Sequence, residues 1–284
     1  MNCAWNAYLN LLPDWLRIFV DKNGSEQLEE LRLRRGLFPE LILQKGSVFI
    51  DRPVSSEDLT YVINAASRYS PWSASSAASG YITAKGGHRI GICGKVVVHN
   101  GVITGISQPN SLCIRVARDY CGIARKISGL KGSVLLIGPP GSGKTTLLRD
   151  MIRQVSRNNI RSICVVDERG ELFPVSDSGF CFDTGPRTDI LTGCDKSDGI
   201  EIALRVMGPE IIAVDEVTAK RDCEALIHAG WCGVRLLATA HAANATDLYN
   251  RPVYKPLVES RLFDYLFVLH PDKSLTHERM RNAD

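Results

Sequence analysis

The pattern of apolar and polar positions changes rhythm once along the chain, near residue 130. Before that point the apolar residues fall in short, mixed groups. Trp15, Ile18 and Phe19 recur at helical spacing after Pro13, whose fixed φ suits a first turn, and predict a helix with one apolar side. Runs of strand length follow at Leu31–Leu33, Leu41–Leu43 and Val48–Ile50, separated by Gly36, Pro39 and Gly46. Ser55 and Asp58 have the spacing of a capping box, and Leu59, Val62, Ile63 and Ala66 continue it at helical period. A glycine-punctuated β segment, Tyr81–Ile106, carries turn signals at Gly86-Gly87 and Asn100-Gly101. Small residues dominate 73–80, which reads as a loop or a weak helix.

From Gly132 onward strand-length apolar runs alternate with helical patterns. The runs are Val134–Ile137, Ser162–Val166, Ile211–Val214 and Leu236–Thr239; the helices between them include Thr145–Val155 and Ala219–Ala229. Such alternation predicts a doubly wound, mainly parallel sheet. The expected organisation is an α+β domain over residues 1–130 and an α/β domain over 131–284.

Composition narrows the class without naming a function. The chain has 284 residues, 44% hydrophobic and 23% charged, as a globular protein does, with a formal net charge of only +3. So small an excess does not suggest a dedicated nucleic-acid binder, and no nucleic-acid partner is expected. No apolar run reaches the roughly 18 residues of a membrane span, and no signal-peptide pattern opens the chain. Nine scattered cysteines without a Cys-x-x-Cys pair fit buried thiols rather than a disulfide framework or zinc ribbon. The expectation is a soluble, intracellular protein.

The strongest chemical signal is Gly138-Pro139-Pro140-Gly141-Ser142-Gly143-Lys144-Thr145, followed by Thr146. It has the Walker A spacing and lies between a predicted strand and a predicted helix. Glycines let consecutive N–H groups turn toward a phosphate, and the helix N-terminus adds partial positive charge. In this reading Lys144 reaches the β- and γ-phosphates of a nucleoside triphosphate and the Thr145 hydroxyl holds Mg2+. The fold class is therefore an α/β P-loop NTPase core of RecA/AAA type behind a smaller α+β domain. Ile211–Glu216 reads as Walker B: an apolar strand delivers Asp215 to the metal and Glu216 as general base for the attacking water. Two adjacent acids favour hydrolysis over transfer to a small molecule, since a kinase must keep water away. Between these motifs, Asp167-Glu168-Arg169-Gly170-Glu171 ends a strand expected beside the P-loop strand, where Glu168 or Glu171 orients water or magnesium, or makes surface salt bridges. A further strand ends in Thr239-Ala240-His241, placing His241 as a γ-phosphate sensor or as an ordinary loop histidine. His88 carries no metal-ligand spacing and receives no role.

Taken in order, Walker A, Asp167–Glu171, Ala203-Leu204-Arg205 before Gly208–Glu216, and Ala238–Ala242 resemble the secretion ATPase superfamily of type II and type IV secretion and pilus assembly. Within it, Gly86–Gly91, Ser111–Arg118 and Thr184–Asp189 resemble the stage III sporulation AA family of endospore-forming bacteria. Three features depart from type II ATPases: no four-cysteine zinc module, Asp215 where glycine is usual, and no arginine soon after Glu216. The resemblance implies an ATPase on the mother-cell cytoplasmic side of the membrane around the forespore, powering a secretion-like channel complex through membrane-embedded partners. It also implies a ring, as a homo-hexamer. Transition-state charge on the γ-phosphate is commonly met by an arginine; Arg169, Arg187 and Arg205 are candidates, with Arg115 and Arg118 in the joining segment. The alternative for Arg205 is an acid on its own helix, and for Arg169 it is Glu168 or Glu171. A nucleic-acid translocase and a nucleotide-binding scaffold are the competing functions.

Overall fold

A computed structural model describes residues 3–67, 80–158, 162–176 and 179–279. The small-residue stretch expected at 73–80 lies, apart from Gly80, outside the described residues. The chain forms two compact units, one of residues 1–119 and 174–182, the other of 120–173 and 183–284. The division falls at Asp119/Tyr120 rather than at 130, and a segment from the second half returns to the first unit.

The first unit is built on a six-stranded antiparallel sheet with helices on one face. Its early strands are β1 (Leu28–Arg34), β2 (Glu40–Leu43) and β3 (Gly46–Phe49), and its later ones β4 (Tyr81–Thr83), β5 (Arg89–His99) and β6 (Val102–Arg115). They lie in the order β3-β2-β1-β6-β5-β4. Alternation sets the two faces: Leu31, Leu33, Leu41, Ile90 and Ile114 are buried with residues of helices α1 (Trp5–Leu9), α2 (Asp14–Gln27) and α3 (Ser56–Ser67). The β5–β6 hairpin turns at Asn100-Gly101, where both φ are positive (51° and 77°), as a type I′ turn requires. The α3 cap closes reciprocally: Asp58 N–H donates to Ser55 Oγ (3.1 Å) and Ser55 N–H to Asp58 Oδ2 (2.9 Å).

Helix α2 buries a different side from the one expected. Leu16 and Val20 face the core, while Ile18 and Phe19 are 61% and 44% exposed. Leu12, Leu16 and Val20 form an i, i+4, i+8 stripe that begins before the proline, so a pattern counted from Pro13 misses it.

Buried His88 ties this unit together. Its Nε2 lies 3.1 Å from Ala4 O, its Nδ1 accepts from Ala117 N–H at 3.1 Å, and its ring meets Tyr8 edge-on. The accepting Nδ1 requires the neutral imidazole. Burial pushes the pKa down to about 4, against the smaller upward pull of the Ala4 carbonyl. A lowered pKa favours the neutral form on folding, so the stabilisation is complete above about pH 6.5 and is lost as pH falls toward 4. Urea denaturation should show up to about 3 kcal/mol of acid destabilisation in wild type that His88→Gln lacks. Identical pH slopes for the two proteins would contradict this assignment.

The second unit is the expected α/β domain. Its strands are β7 (Val134–Gly138) and β8 (Ile163–Asp167), then, after a two-stranded excursion belonging to the first unit, β9 (Val175–Ser176) with β10 (Gly179–Phe180), the strands β11 (Thr188–Thr192), β12 (Ile211–Val217), β13 (Arg235–His241), β14 (Tyr265–Leu269) and β15 (Leu275–Arg279). The order is β11-β8-β12-β13-β7-β14-β15, parallel throughout except for β15. One expectation fails here: β8 pairs with β11 and β12, not with the P-loop strand β7, whose neighbours are β13 and β14. Helices α4 (Lys144–Asn158), α5 (Lys196–Ile202), α6 (Lys220–Trp231), α7 (Ala245–Asn250) and α8 (Lys255–Glu259) connect the strands, and a π turn, Ala203–Met207, extends α5. Strands β7 and β8 are buried along their whole length, which is why they read as unbroken apolar runs. No helix among the described residues is long and apolar enough to cross a membrane.

Candidate active site at the strand ends

The loop after β7 is shaped by close packing and by glycine. A Cβ on Gly138 would stand 2.4 Å from Leu269 O, so no side chain fits where β7 passes the end of β14. Gly141 and Gly143 take φ of 72° and 105°, which L side chains rarely adopt. The loop delivers Lys144 to the start of α4, whose first N–H groups have no acceptor within the helix. Ser142 Oγ is buried with no hydrogen-bond partner, and a Cβ on Gly141 would meet nothing within 4 Å. Both features leave room and donors for an oxygen-rich ligand. Thr145 and Thr146 follow, half-buried.

Lys144 is buried, and its Nζ donates to Gly138 O (2.9 Å), Pro139 O (3.0 Å) and His241 Nδ1 (3.1 Å). Burial lowers its pKa, outweighing the opposite pull of Asp215 and Glu216. His241 reaches it because β13 lies directly beside β7, with His241 opposite Gly138. The other ring nitrogen, Nε2, is 2.5 Å from Glu216 Oε1, and Arg169 donates to Glu216 Oε2 at 3.3 Å. A continuous chain Lys144–His241–Glu216–Arg169 thus spans the sheet edge.

Glu216 owes its place to a bulge. The β12–β13 register shifts between Val214 and Val217, and Glu216 takes a φ of 55°, uncommon for a residue with a side chain. Such strain persists only where neighbours hold it; here Thr239 Oγ1 accepts from Glu216 N–H (2.7 Å) and donates to Asp215 Oδ1 (2.5 Å). One hydroxyl therefore fixes both acids. Burial alone would raise the pKa of Glu216, but the His241 hydrogen bond and the charges of Arg169 and Lys196 hold it below the usual range.

The acids after β8 divide by role. Buried Asp167 accepts from the N–H groups of Glu171 (2.9 Å) and Phe173 (2.8 Å), closing the loop that follows. Burial pushes its pKa up to about 6 despite those bonds. Arg149 of α4 donates to the carbonyls of Leu172 (2.5 Å) and Glu171 (2.8 Å), which locks this loop to the P-loop helix. Glu168 pairs with Lys196. Asp167, Glu168, Arg169, Glu171, Lys196, Asp215 and Glu216 line one cleft with Val166. Sequence reading missed Lys196, which no motif marks.

The candidate arginines are dispersed. Arg169 pairs with Glu216 rather than with Glu168 or Glu171. Arg205, in the π turn, donates to the Glu201 carbonyl one helical turn back (3.4 Å). The Arg187 backbone N–H donates to Ser156 Oγ of α4 (2.8 Å). In the first unit Arg115 pairs with Glu30, and Arg118 donates to the carbonyls of Ser25 and Leu28. Among the described residues no group of three or more His, Cys, Asp or Glu side chains could hold a metal by itself. Thr145 and Asp215 fit magnesium, which takes one or two protein ligands and completes its octahedron with phosphates and water.

The family model described as "Sporulation stage III, protein AA" matches residues 7–279. The chain belongs to this family. Stage III sporulation protein AA of Bacillus subtilis (strain 168) is 34% identical over 274 residues, covering 91% of this chain and 89% of the relative. Among solved structures, the Legionella pneumophila ATPase DotB aligns over 94% of this chain and 80% of its own, at a TM-score of 0.57 and 16% identity. The pilus retraction motor PilT, solved with bound ADP, aligns over 88% of this chain and 76% of its own, at a TM-score of 0.61 and 15% identity. The family member therefore carries the fold of these P-loop secretion ATPases.

Proposed function

We propose that the chain hydrolyses ATP with magnesium and powers a secretion-like membrane channel during endospore formation. The observation that carries the reading is the hydrogen-bonded line from Lys144 through His241 to Glu216, joining phosphate loop to acid at one sheet edge. Lys144 exchanges two loop carbonyls for phosphate oxygens, a modest change of partner for an ammonium already in position. Glu216, kept ionised, takes a proton from the attacking water; the water oxygen bonds the γ-phosphorus as the bond to ADP breaks. His241 touches both Lys144 and Glu216, so it couples phosphate occupancy to the base. Thr145 and Asp215 would hold magnesium, which would supply positive charge against the phosphates when bound. The activity belongs to the second unit, residues 120–173 and 183–284.

On this reading the protein works at the cytoplasmic face of the membrane around the forespore, on the mother-cell side, through membrane-embedded partners. It acts as a ring, a homo-hexamer, in which one of Arg187, Arg205, Arg115 and Arg118 serves a neighbouring site. Phosphate release should require magnesium, stop with excess EDTA, rise per subunit with protein concentration, and ignore added DNA. Release that persists in EDTA contradicts the metal assignment, and DNA-stimulated turnover that falls steeply with salt favours a nucleic-acid translocase.

A further inference from the structure

The turn between β14 and β15 stands against the phosphate loop. Strand β14 runs parallel beside β7, with Val268 opposite Ile137, and Gly138 packs tightly on Leu269 O where the loop begins. The turn is closed by its own bonds. Lys273 N–H donates to His270 O (2.9 Å), and Asp272 Oδ1 accepts from the N–H (2.9 Å) and the hydroxyl (2.6 Å) of Ser274. Lys273 itself has a φ of 68°, a conformation that glycine or asparagine adopts far more readily. A lysine persists in that strained position, and its Nζ donates to Gly141 O of the phosphate loop at 2.6 Å. The amide end of the same peptide carries a second bond: Ser142 N–H donates to Pro139 O at 3.3 Å, a long contact that is easily exchanged. Lys144 Nζ donates to the same oxygen at 3.0 Å. Two donors thus converge on one oxygen, the arrangement that an anionic phosphate oxygen needs.

Resting on the hydrolytic reading above, we propose that Lys273 is a positioning residue for nucleotide binding: from the neighbouring turn it holds the Gly141 carbonyl, and so keeps the Ser142 N–H directed at the phosphate. A trans peptide is planar, with its C=O and N–H on opposite sides. Gly141 has a φ of 72° and open space where a Cβ would stand, so nothing at that residue itself stops the peptide from turning over. Turned over, it would present a carbonyl to the phosphate in place of a donor. An ammonium on the carbonyl oxygen opposes that turn, and it polarises the peptide so that its N–H donates more strongly. This role accounts for lysine at a position where the turn alone favours glycine.

The test titrates N-methylanthraniloyl-ATP, with and without magnesium, into the full chain as wild type, Lys273→Gly, Lys273→Asn and Lys273→Arg. Melting temperature and steady-state kinetics are measured on each. Glycine and asparagine tolerate the turn's φ, so Lys273→Gly and Lys273→Asn should melt no lower than wild type. Both should nevertheless bind the analogue about tenfold or more weakly. In turnover the loss should appear in KM rather than in kcat. Lys273→Arg keeps a charged donor and should recover most of the affinity. A lysine that served only the turn would behave differently, since relieving its strain would leave binding intact. Wild-type affinity in both Lys273→Gly and Lys273→Asn, or a loss confined to kcat, would overturn the proposal while leaving the ATPase reading standing. A wild-type chain that binds no analogue would overturn both.

Discussion

Glu216→Gln is expected to slow ATP turnover by about 10²–10⁴-fold while nucleotide affinity stays nearly unchanged. The substitution is nearly isosteric, but it removes the negative charge, and with it the capacity to accept a proton and the ion pair with Arg169. It keeps the bulge, since glutamine meets the same backbone demand at a φ of 55°, and Thr239 Oγ1 still accepts from the backbone N–H. The carboxylate acts on the attacking water, not on ground-state phosphates, so the loss appears in kcat rather than in KM. Steady-state kinetics with fluorescent-nucleotide titration separate the two. A variant that turns over at the wild-type rate would place the base elsewhere, with Glu168 and Glu171 next along the cleft.

Lys144→Ala acts on the other side of the same reaction. The ammonium contacts two loop carbonyls and His241, and these orient it before any nucleotide arrives. Hydrogen bonds to charged groups contribute about 1.5–3 kcal/mol each, and two phosphates lose theirs together, so ATP affinity should drop by about 10²-fold or more. Alanine also leaves the Gly138 and Pro139 carbonyls without their donor, which lets the loop relax. A titration in which Lys144→Ala binds ATP as wild type does would show that this loop is not the phosphate cradle.

Some of this architecture is legible in the sequence because its causes are local. Val134–Ile137 and Ile211–Val214 are buried on both faces of a parallel sheet, and burial on both faces writes an apolar run. The phosphate loop is written as glycines because Gly138, Gly141 and Gly143 meet steric demands that only the backbone sets. Pairing order is not local. Nothing in Ile163–Asp167 says that two strands separate it from β7, and the polar edge strand Thr188–Thr192 and the short helices α7 and α8 break the rhythm that revealed the others.

The site divides the same way. The acids at 215 and 216 can be read from the sequence, but the bulge that gives Glu216 its φ arises from pairing with β13. Lys196 looks like any helix-starting lysine until its pairing with Glu168 is seen. His88, set aside for lack of metal spacing, matters for a different reason: its hydrogen bonds reach Ala4 and Ala117, far away in sequence.

Phosphate release from ATP in magnesium, measured on wild type, Lys144→Ala and Glu216→Gln purified identically, tests the account most directly. The account predicts release by wild type that both variants lack, Lys144→Ala through lost binding and Glu216→Gln through lost turnover. Equal release from all three preparations, or none from wild type at any protein concentration, would contradict it.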